Sequence, residues 1–360
     1  MTSELARKRM TASAPRPDLG PLARRAALAL GPVLAALVLG GLVLLVLGVN
    51  PIAYYVFVVE RGLLSPTGIQ ATLTRMAPLL LIAASLIVAF RAGIWNLGGD
   101  GQFLLGAVVV AAAAPLLIQH LPSWAVLVVC MALGALVGAV WSVLPALLKA
   151  YQGVNEIITT LMMTFLGVSF ANVLVKLAFR DPGTTVPQTR TLEVADRLPR
   201  LFETTISSGL VIGIVAILAV HVMMTRTAFG LKLRIVGANT RAAVHAGLSV
   251  PRLTVAVFAI SASLAGLAGA VEILGVQGNV RADWNPAYSL TVVPLVFLAR
   301  FNGPATIAFV FLFSVLSIGG ESAARRMGVP NFFTLVIVGI LLILLGLAEY
   351  LDQRRRAGGP

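Results

Sequence analysis

Ten apolar runs, most of them close to the length of a membrane-spanning helix, follow one another along the 360 residues. A helix needs about 20 apolar residues to cross the hydrocarbon core of a bilayer. Charged residues make up only 11% of the chain and apolar residues 58%, whereas soluble domains are about a quarter charged. The sequence therefore predicts an all-α, polytopic transmembrane helical bundle of about ten spans.

Three of these runs, the third, eighth and ninth, are shorter than a full span and are candidates for re-entrant or broken helices. The runs together define a transmembrane domain over residues 26–350, between an N-terminal tail (1–25) and a C-terminal tail (351–360). The approximate bounds are Ala26 to Val49, Ile69 to Phe90, Phe103 to Ile118, Trp124 to Leu148, Ile157 to Ala178, Thr205 to Met224, Leu253 to Leu274, Tyr288 to Ala299, Ala305 to Ile318 and Phe332 to Tyr350.

Lysine and arginine are distributed unevenly between the two sets of connecting segments. With the N-terminus inside, 17 of the 27 cationic residues fall on the cytoplasmic side, and the other ten lie among acidic residues. Cytoplasmic segments carry such an excess, so both tails are predicted to be cytoplasmic. The net charge of +13 is thus explained by orientation in the lipid bilayer, and no nucleic-acid partner is predicted.

Residues 1–25 are basic and lack a signal-peptide cleavage pattern, so they are interpreted as a cytoplasmic tail. Cys130 is the only cysteine, which excludes an intrachain disulfide. The segment from Arg180 to Glu203 contains prolines and charges of both signs. We expect it to be an extracytoplasmic cap or docking surface, because it has too little apolar content for a core of its own.

The segment from Arg226 to Arg252 is a basic interruption between two apolar runs, with five cations and no acidic residue. That composition is typical of a cytoplasmic loop. Within it, Asn239 can cap a short helix and Gly247 can end it, with an alanine-rich stretch between them. The sequence therefore predicts a short surface helix from Asn239 to Gly247 that has a partner to contact.

A second polar island, RAGIWNLGGDGQ, occupies Arg91 to Gln102. Its glycines allow non-helical backbone and close packing, while Asn96, Asp100 and Gln102 can hydrogen-bond a polar ligand or freed backbone groups. A glycine-rich turn with a capping aspartate explains the same pattern. From the residues alone, both interpretations stay open.

Carboxylates at Asp100, Glu156 and Glu272 lie within or at the edge of apolar runs, where ionisable groups are costly and usually functional. For Glu156 we favour a helix-capping role, because a negative charge is stabilised at a helix N-terminus. Glu272 follows a series of small residues that permits close helix packing. It fits equally a structural hydrogen bond to a neighbouring helix or a role in a translocation path.

Two sequence features of enzymes are absent. There is no GxxxxGK[ST] phosphate-binding loop, and the three histidines are too scattered for a metal cluster. No catalytic residue, metal or cofactor is therefore predicted, and nucleotide hydrolysis would need a separate partner.

Four blocks carry a family resemblance: WNLGGDGQ at Trp95 to Gln102, NEIITTLMM at Asn155 to Met163, VGANTRAAVHAG at Val236 to Gly247, and AGAVEILG at Ala268 to Gly275. In that order they resemble permease subunits of ABC importers of the ribose and branched-chain amino acid type, most closely the nucleoside or simple-sugar branch. The later stretches SLTVVPLVFLARFNGP and GGESAARRMGVP are also similar to that branch. Asp100 departs from its usual glutamate and Trp95 from its usual phenylalanine or leucine, which puts ligand preference in doubt but not the fold.

The resemblance implies a type II-like permease domain with inverted repeats in a bacterial inner membrane. It also implies three protein partners: an ABC ATPase subunit, a second permease subunit that is a paralogue, and an extracytoplasmic substrate-binding protein or lipoprotein. The helix that couples the permease to the ATPase would be Gly237 to Gly247. Its contact residues would be Gly237, Asn239, Arg241, Ala242, His245 and Gly247.

The solute path implied by the resemblance runs between two permease subunits, lined by broken helices. The candidate path residues are Trp95, Asn96, Asp100, Gln102, Glu272 and Asn302. Trp95 or Phe103 would offer ring surface to a nucleoside or sugar. The alternative function is a stand-alone, ion-coupled secondary transporter that uses Asp100, Glu156 or Glu272 as ion sites.

Overall fold

A computed structural model describes residues 21–330, 333, 335–337, 339–341, 343–344 and 346–348, with side chains from residue 30 onward. These residues form a helical bundle, and extended pairing among them is confined to two isolated bridges, Gln188 with Arg281 and Arg200 with Ser207. The helices are α1 (Pro21–Val46), α2 (Pro51–Val59), α3 (Pro66–Arg91), α4 (Gly99–Leu117), α5 (Ser123–Trp141), α6 (Val143–Gln152), α7 (Glu156–Val173), α8 (Gly209–Arg226), α9 (Ala228–Ala238), α10 (Thr240–His245), α11 (Val250–Glu272), α12 (Tyr288–Leu298), α13 (Gly303–Met327) and α14 (Leu335–Ala348).

Seven helical stretches within the described ranges are long and apolar enough to cross a membrane: α3, α4, α5 joined to α6, α7, α8, α11 and α13. Shorter apolar helices are Leu30–Val46 within α1, α12 and α14. Helices dominate because a lipid-embedded backbone must satisfy its own hydrogen bonds. The chain is thus a multi-pass, all-α membrane protein, as the apolar runs predict.

The buried centre of the bundle consists of α3, α4 and α11, whereas α5, α7 and α8 leave most of their apolar surface exposed. Small residues allow the central helices to approach closely. A Cβ on Gly266 would come within 2.1 Å of the Gly134 carbonyl oxygen, and one on Gly106 within 2.6 Å of the Gly266 carbonyl oxygen. Close backbone contact of this kind replaces the hydrophobic effect as the packing force between helices in lipid.

Two helices begin inside the bundle after non-helical backbone. Residues 92–98 separate α3 from α4, and residues 278–287 separate the π-helical end of α11 (Ile273–Gln277) from α12. The C-terminal end of α3 lies beside α9, while the segment after α11 hydrogen-bonds the 180–203 segment, so these two units run in opposite directions. Each unit therefore consists of a helix, a non-helical break and a second helix; the breaks are residues 92–98 and 278–287. Two such units in opposite directions fit the inverted repeats that the resemblance implies.

Several sequence-based boundaries differ from the structure. The ninth run was predicted to be short, but α13 spans Gly303–Met327, because its polar end continues the helix. The fourth run divides at Ser142 into α5 and α6, and two further helices, α2 and α9, occupy segments predicted as connections. Helix α1 begins at Pro21, five residues inside the predicted tail; residues 1–20 and 351–360 lie outside the described residues, as does part of the tenth run.

Candidate functional site

The polar island folds into a buried hydrogen-bond network at the break between α3 and α4. Asn96 Nδ2 donates to Ser261 Oγ (2.9 Å) and to Gln102 Oε1 (3.2 Å), while Asn96 Oδ1 accepts from the Gly98 amide (3.0 Å). Ser261 Oγ is also 2.9 Å from Ser85 Oγ. All of these side chains are at most 2% exposed. In this conformation the amides therefore bond to the protein rather than to a solute.

Threonines on α7 hold the non-helical backbone of the island. Thr160 Oγ1 accepts from the Leu97 amide at 3.1 Å, and Thr164 Oγ1 donates to the Leu97 carbonyl at 2.8 Å. Gly101 keeps the packing beside them close, because a Cβ there would lie 3.1 Å from the Met163 carbonyl oxygen, a tight contact. Broken helices are tolerated at membrane depth where neighbouring side chains satisfy the freed backbone groups in this way.

Asp100 connects the two helices that begin after the breaks, α4 and α12. Its Oδ1 accepts a hydrogen bond from the Ser289 amide at 2.8 Å, so the carboxylate in the first turn of α4 also caps the N-terminus of α12. Asp100 is 5% exposed. This contact is a helix cap on a distant helix, and the ligand-binding interpretation of Asp100 stays a prediction. Two positive helix ends consequently meet at one carboxylate and offset part of the cost of burying its charge.

Glu272 lies at the end of α11 near the same junction. It is 3% exposed and close to Arg75 of α3 and Tyr288 of α12. Its Oε1 accepts from Gln277 Nε2 at 3.3 Å. Arg75 also reaches α13, where its Nη2 lies 3.1 Å from Glu321 Oε1. A chain of polar side chains thus connects four helices around the start of α12.

Trp95 is the exposed member of an aromatic cluster. The residue is 40% exposed, and its ring stacks on Phe297 (centroids 5.8 Å apart, 30° between planes) and lies 4.9 Å from the Phe90 ring centroid. Phe103, the other candidate for ring surface, is 1% exposed beneath Trp284 and Tyr288. Trp95 is therefore the ring that this conformation offers to a neighbour.

The remaining polar candidates act at helix ends. Asn302 is exposed and its Oδ1 accepts from the Ala305 amide at 3.2 Å, capping α13. The cap of α7 is Asn155, whose Oδ1 accepts from Ile157 at 2.9 Å. Glu156 follows in the first turn and pairs with Lys149 at 2.6 Å, so its charge has a partner on α6.

The predicted surface helix is present as α10. Asn239 Oδ1 accepts from the Ala242 amide at 3.0 Å, and Gly247 ends the segment with φ +74°. Ala243 is fully buried and anchors the helix. The six contact residues named from the resemblance, Gly237, Asn239, Arg241, Ala242, His245 and Gly247, are all exposed.

A glycine contact connects this basic segment to the polar island. A Cβ on Gly237 would lie 2.6 Å from the Arg91 carbonyl oxygen, and one on Gly93 would lie 3.0 Å from the Gly237 Cα. The backbones of α9 and of residues 91–93 therefore touch directly.

Sequence reasoning missed several residues of this arrangement. Ser261, Ser289 and Thr160 bind the island from distant positions, and no local pattern marks them. Val244 was also missed, although it is 58% exposed on α10. A single exposed apolar residue is common at protein surfaces, so Val244 alone carries no sequence signal of a contact.

Comparison with known proteins identifies the class. Residues 68–346 match the family model for the branched-chain amino acid transport system / permease component. The glucose ABC transporter permease protein of Haloferax volcanii is 34% identical over 90% of this chain and 87% of its own length. The nucleoside ABC transporter permease protein of Lactococcus lactis is 28% identical over 85% of this chain and 86% of its own. The guanosine permease of Bacillus subtilis is 29% identical over 76% and 79%.

These relatives are named as transporter permeases, which are transport subunits and not enzymes, and they do not favour a stand-alone ion-coupled transporter. The family match covers both breaks, the polar island and α10. The chain belongs to the branched-chain amino acid transport system permease family and is an ABC transporter permease subunit.

Proposed function

We propose that this permease forms half of the path by which an ABC importer carries a nucleoside or a simple sugar across a bacterial inner membrane. The relatives named for glucose, nucleosides and guanosine support this solute class. Sugars and nucleosides are neutral and rich in hydroxyl groups. Their recognition requires hydrogen-bonding side chains and ring surface rather than a fixed countercharge.

The observation that carries the proposal is α10, a capped helix held by buried Ala243 with its other face exposed. Arg241, Val244 and His245 are all exposed on it. A small apolar contact with charged neighbours suits insertion into a groove of a partner protein. That partner would be the ATPase subunit. The α10 end of the bundle would then face the cytoplasm, with both chain termini on the same side.

Force would pass from α10 to the solute path through the backbone contact between Gly237 and residues 91–93. Beyond it lie the Asn96 network and then Asp100, which holds the start of α12. Tilting α9 would thus shift the ends of both broken helices together. Alternating access requires such coupled movement of one helix group against the other.

The path itself would lie between this chain and a second, paralogous permease subunit. Trp95 would offer an exposed ring, and Asn96, Asp100, Gln102 and Glu272 would exchange internal hydrogen bonds for solute contacts when the breaks open. Asn302 would stand at the cytoplasmic edge. The 180–203 segment, at the opposite end, would receive the substrate-binding protein or lipoprotein.

The test is the variant Arg241→Glu with His245→Glu in the complete transporter. We expect the amount of ATPase recovered with the permease to fall at least fivefold, because two acidic side chains replace the cationic contact, while membrane insertion is unchanged. The matched control is Arg180→Glu with His120→Glu, which makes the same changes at exposed positions of the opposite end. If the α10 variant retains the ATPase at the level of this control, α10 is not the coupling element.

A further inference from the structure

A basic cleft lies where α13 ends beside α2, at the end of the bundle opposite α10. It has a volume of about 290 Å³ and is lined by Phe57, Arg61, Ser322, Arg325 and Arg326. All three guanidinium-bearing residues are exposed. Neither the solute path nor the coupling helix includes any of these residues.

Two of the arginines converge on one ring. The Cζ of Arg61 is 5.7 Å and that of Arg326 is 5.0 Å from the centroid of the Phe57 ring. Cation–π attraction holds each of them, but it does not remove the repulsion between like charges. The salt bridges found among the described residues use other cations, and the nearby Glu321 is bound to Arg75.

Helix-end electrostatics account for each arginine separately. Arg325 and Arg326 lie in the last turn of α13, and Arg61 lies in the last turn of Glu60–Leu64, the π-helical continuation of α2, where cations offset the helix dipole. The dipoles do not explain why cations from two helix ends share one ring. That convergence of like charges indicates a site that favours an anion.

The neighbouring face of α2 and its π-helical continuation is aliphatic and exposed. Ile52, Val56, Val59 and Leu63 are between 37% and 75% exposed and recur at helical spacing. The opposite face, with Tyr54, Val58 and Gly62, packs into the bundle. In a chain that spans a membrane, an exposed aliphatic stripe next to arginines matches the boundary between acyl chains and headgroups.

We propose that this cleft binds the headgroup of an anionic phospholipid in the leaflet opposite α10. The phosphodiester would accept hydrogen bonds from the guanidinium groups of Arg61, Arg325 and Arg326 and from Ser322, and the acyl chains would lie on the aliphatic stripe. Arginine suits this role because its planar donors bind phosphate oxygens in pairs. An acidic protein surface would use the arginines but would leave the aliphatic stripe without a function.

The experiment is native mass spectrometry of the full-length chain titrated with phosphatidylglycerol, and separately with phosphatidylcholine of the same acyl chains. We expect Arg61→Gln, Arg325→Gln, Arg326→Gln to lower the phosphatidylglycerol-bound fraction at least fivefold. The control, Arg180→Gln, Arg190→Gln, Arg200→Gln, removes the same charge from the 180–203 segment and should bind like the parent chain. A triple Arg→Lys variant of the cleft, which keeps the charge, should fall in between and remains informative if the glutamine variant misfolds.

Three results would overturn the proposal. The first is equal binding of phosphatidylglycerol by the cleft variant and the control. The second is equal binding of phosphatidylcholine by the parent chain. The third is displacement of the lipid by millimolar inorganic phosphate, which would reduce the cleft to a free-anion site. If the first result is accompanied by loss of binding-protein association in the cleft variant, the cleft is a protein docking site instead. None of these results bears on α10 or the solute path, so the proposed function stands or fails separately.

Discussion

Asp100 and Glu272 are both carboxylates buried in the centre of the bundle, but their partners differ in kind. Asp100 accepts a hydrogen bond from the backbone amide of Ser289, a group fixed in place by α12. Glu272 lies among the side chains of Arg75, Gln277 and Tyr288. Backbone partners move only with their helix, whereas side chains exchange partners by rotation. We therefore expect Asp100 to join two helices and Glu272 to make a contact that changes during transport.

The largest effect is expected when the Asp100 contact is removed. Asp100→Ala leaves the Ser289 amide without its acceptor, which costs about 1–3 kcal/mol for a buried donor. Uptake of labelled solute by cells with the complete transporter should fall about tenfold or more. A free-energy change of this size shifts the equilibrium between two transport conformations by about that factor.

The control for this prediction is Asp100→Asn, which keeps an Oδ1 acceptor in the same place and should restore most of the uptake. Recovery of the assembled complex is measured in parallel and should fall less than uptake. Normal uptake by Asp100→Ala would show that the contact between the two broken helices is dispensable.

An intermediate effect is expected at Glu272. Glu272→Gln keeps the shape and the hydrogen-bonding capacity toward Gln277 but removes the charge that faces Arg75. We expect uptake to fall about three- to tenfold, a free-energy change on the order of 1 kcal/mol, with assembly unchanged. Full uptake by this variant would assign Glu272 a structural hydrogen bond, the other interpretation that the sequence allows.

Local sequence chemistry predicted the elements of this site better than its connections. Apolar runs predicted the spans, and the cap at Asn239 formed as predicted. The cap predicted at Glu156 belongs instead to its neighbour Asn155. Helix α2 was missed although Asn50 and Pro51 form a helix-start signal, because a 9-residue helix is too short to stand out as a span.

The partners of the polar island could not be predicted in the same way. Asn96 bonds Ser261, which lies 165 residues away, and Asp100 bonds Ser289, which lies 189 residues away. Serine in an apolar run is common and carries no signal of its partner. Only the packing of α3, α4, α11 and α12 brings these groups together, so the difference between Asp100 and Glu272 was invisible in the sequence.

The smallest effect is expected at the ion pair between Arg75 and Glu321. Both side chains are partly exposed, 27% and 39%, and such pairs contribute about 0.2–1 kcal/mol. Glu321→Gln should therefore lower uptake less than threefold. Arg75→Gln should cost more, because it also removes the cation that faces buried Glu272. A double-mutant cycle on uptake separates the two contacts: coupling of Arg75 to Glu272 should exceed its coupling to Glu321. If the order is reversed, Arg75 serves the partly exposed pair, and the buried Glu272 charge must be stabilised by Gln277 and Tyr288 alone.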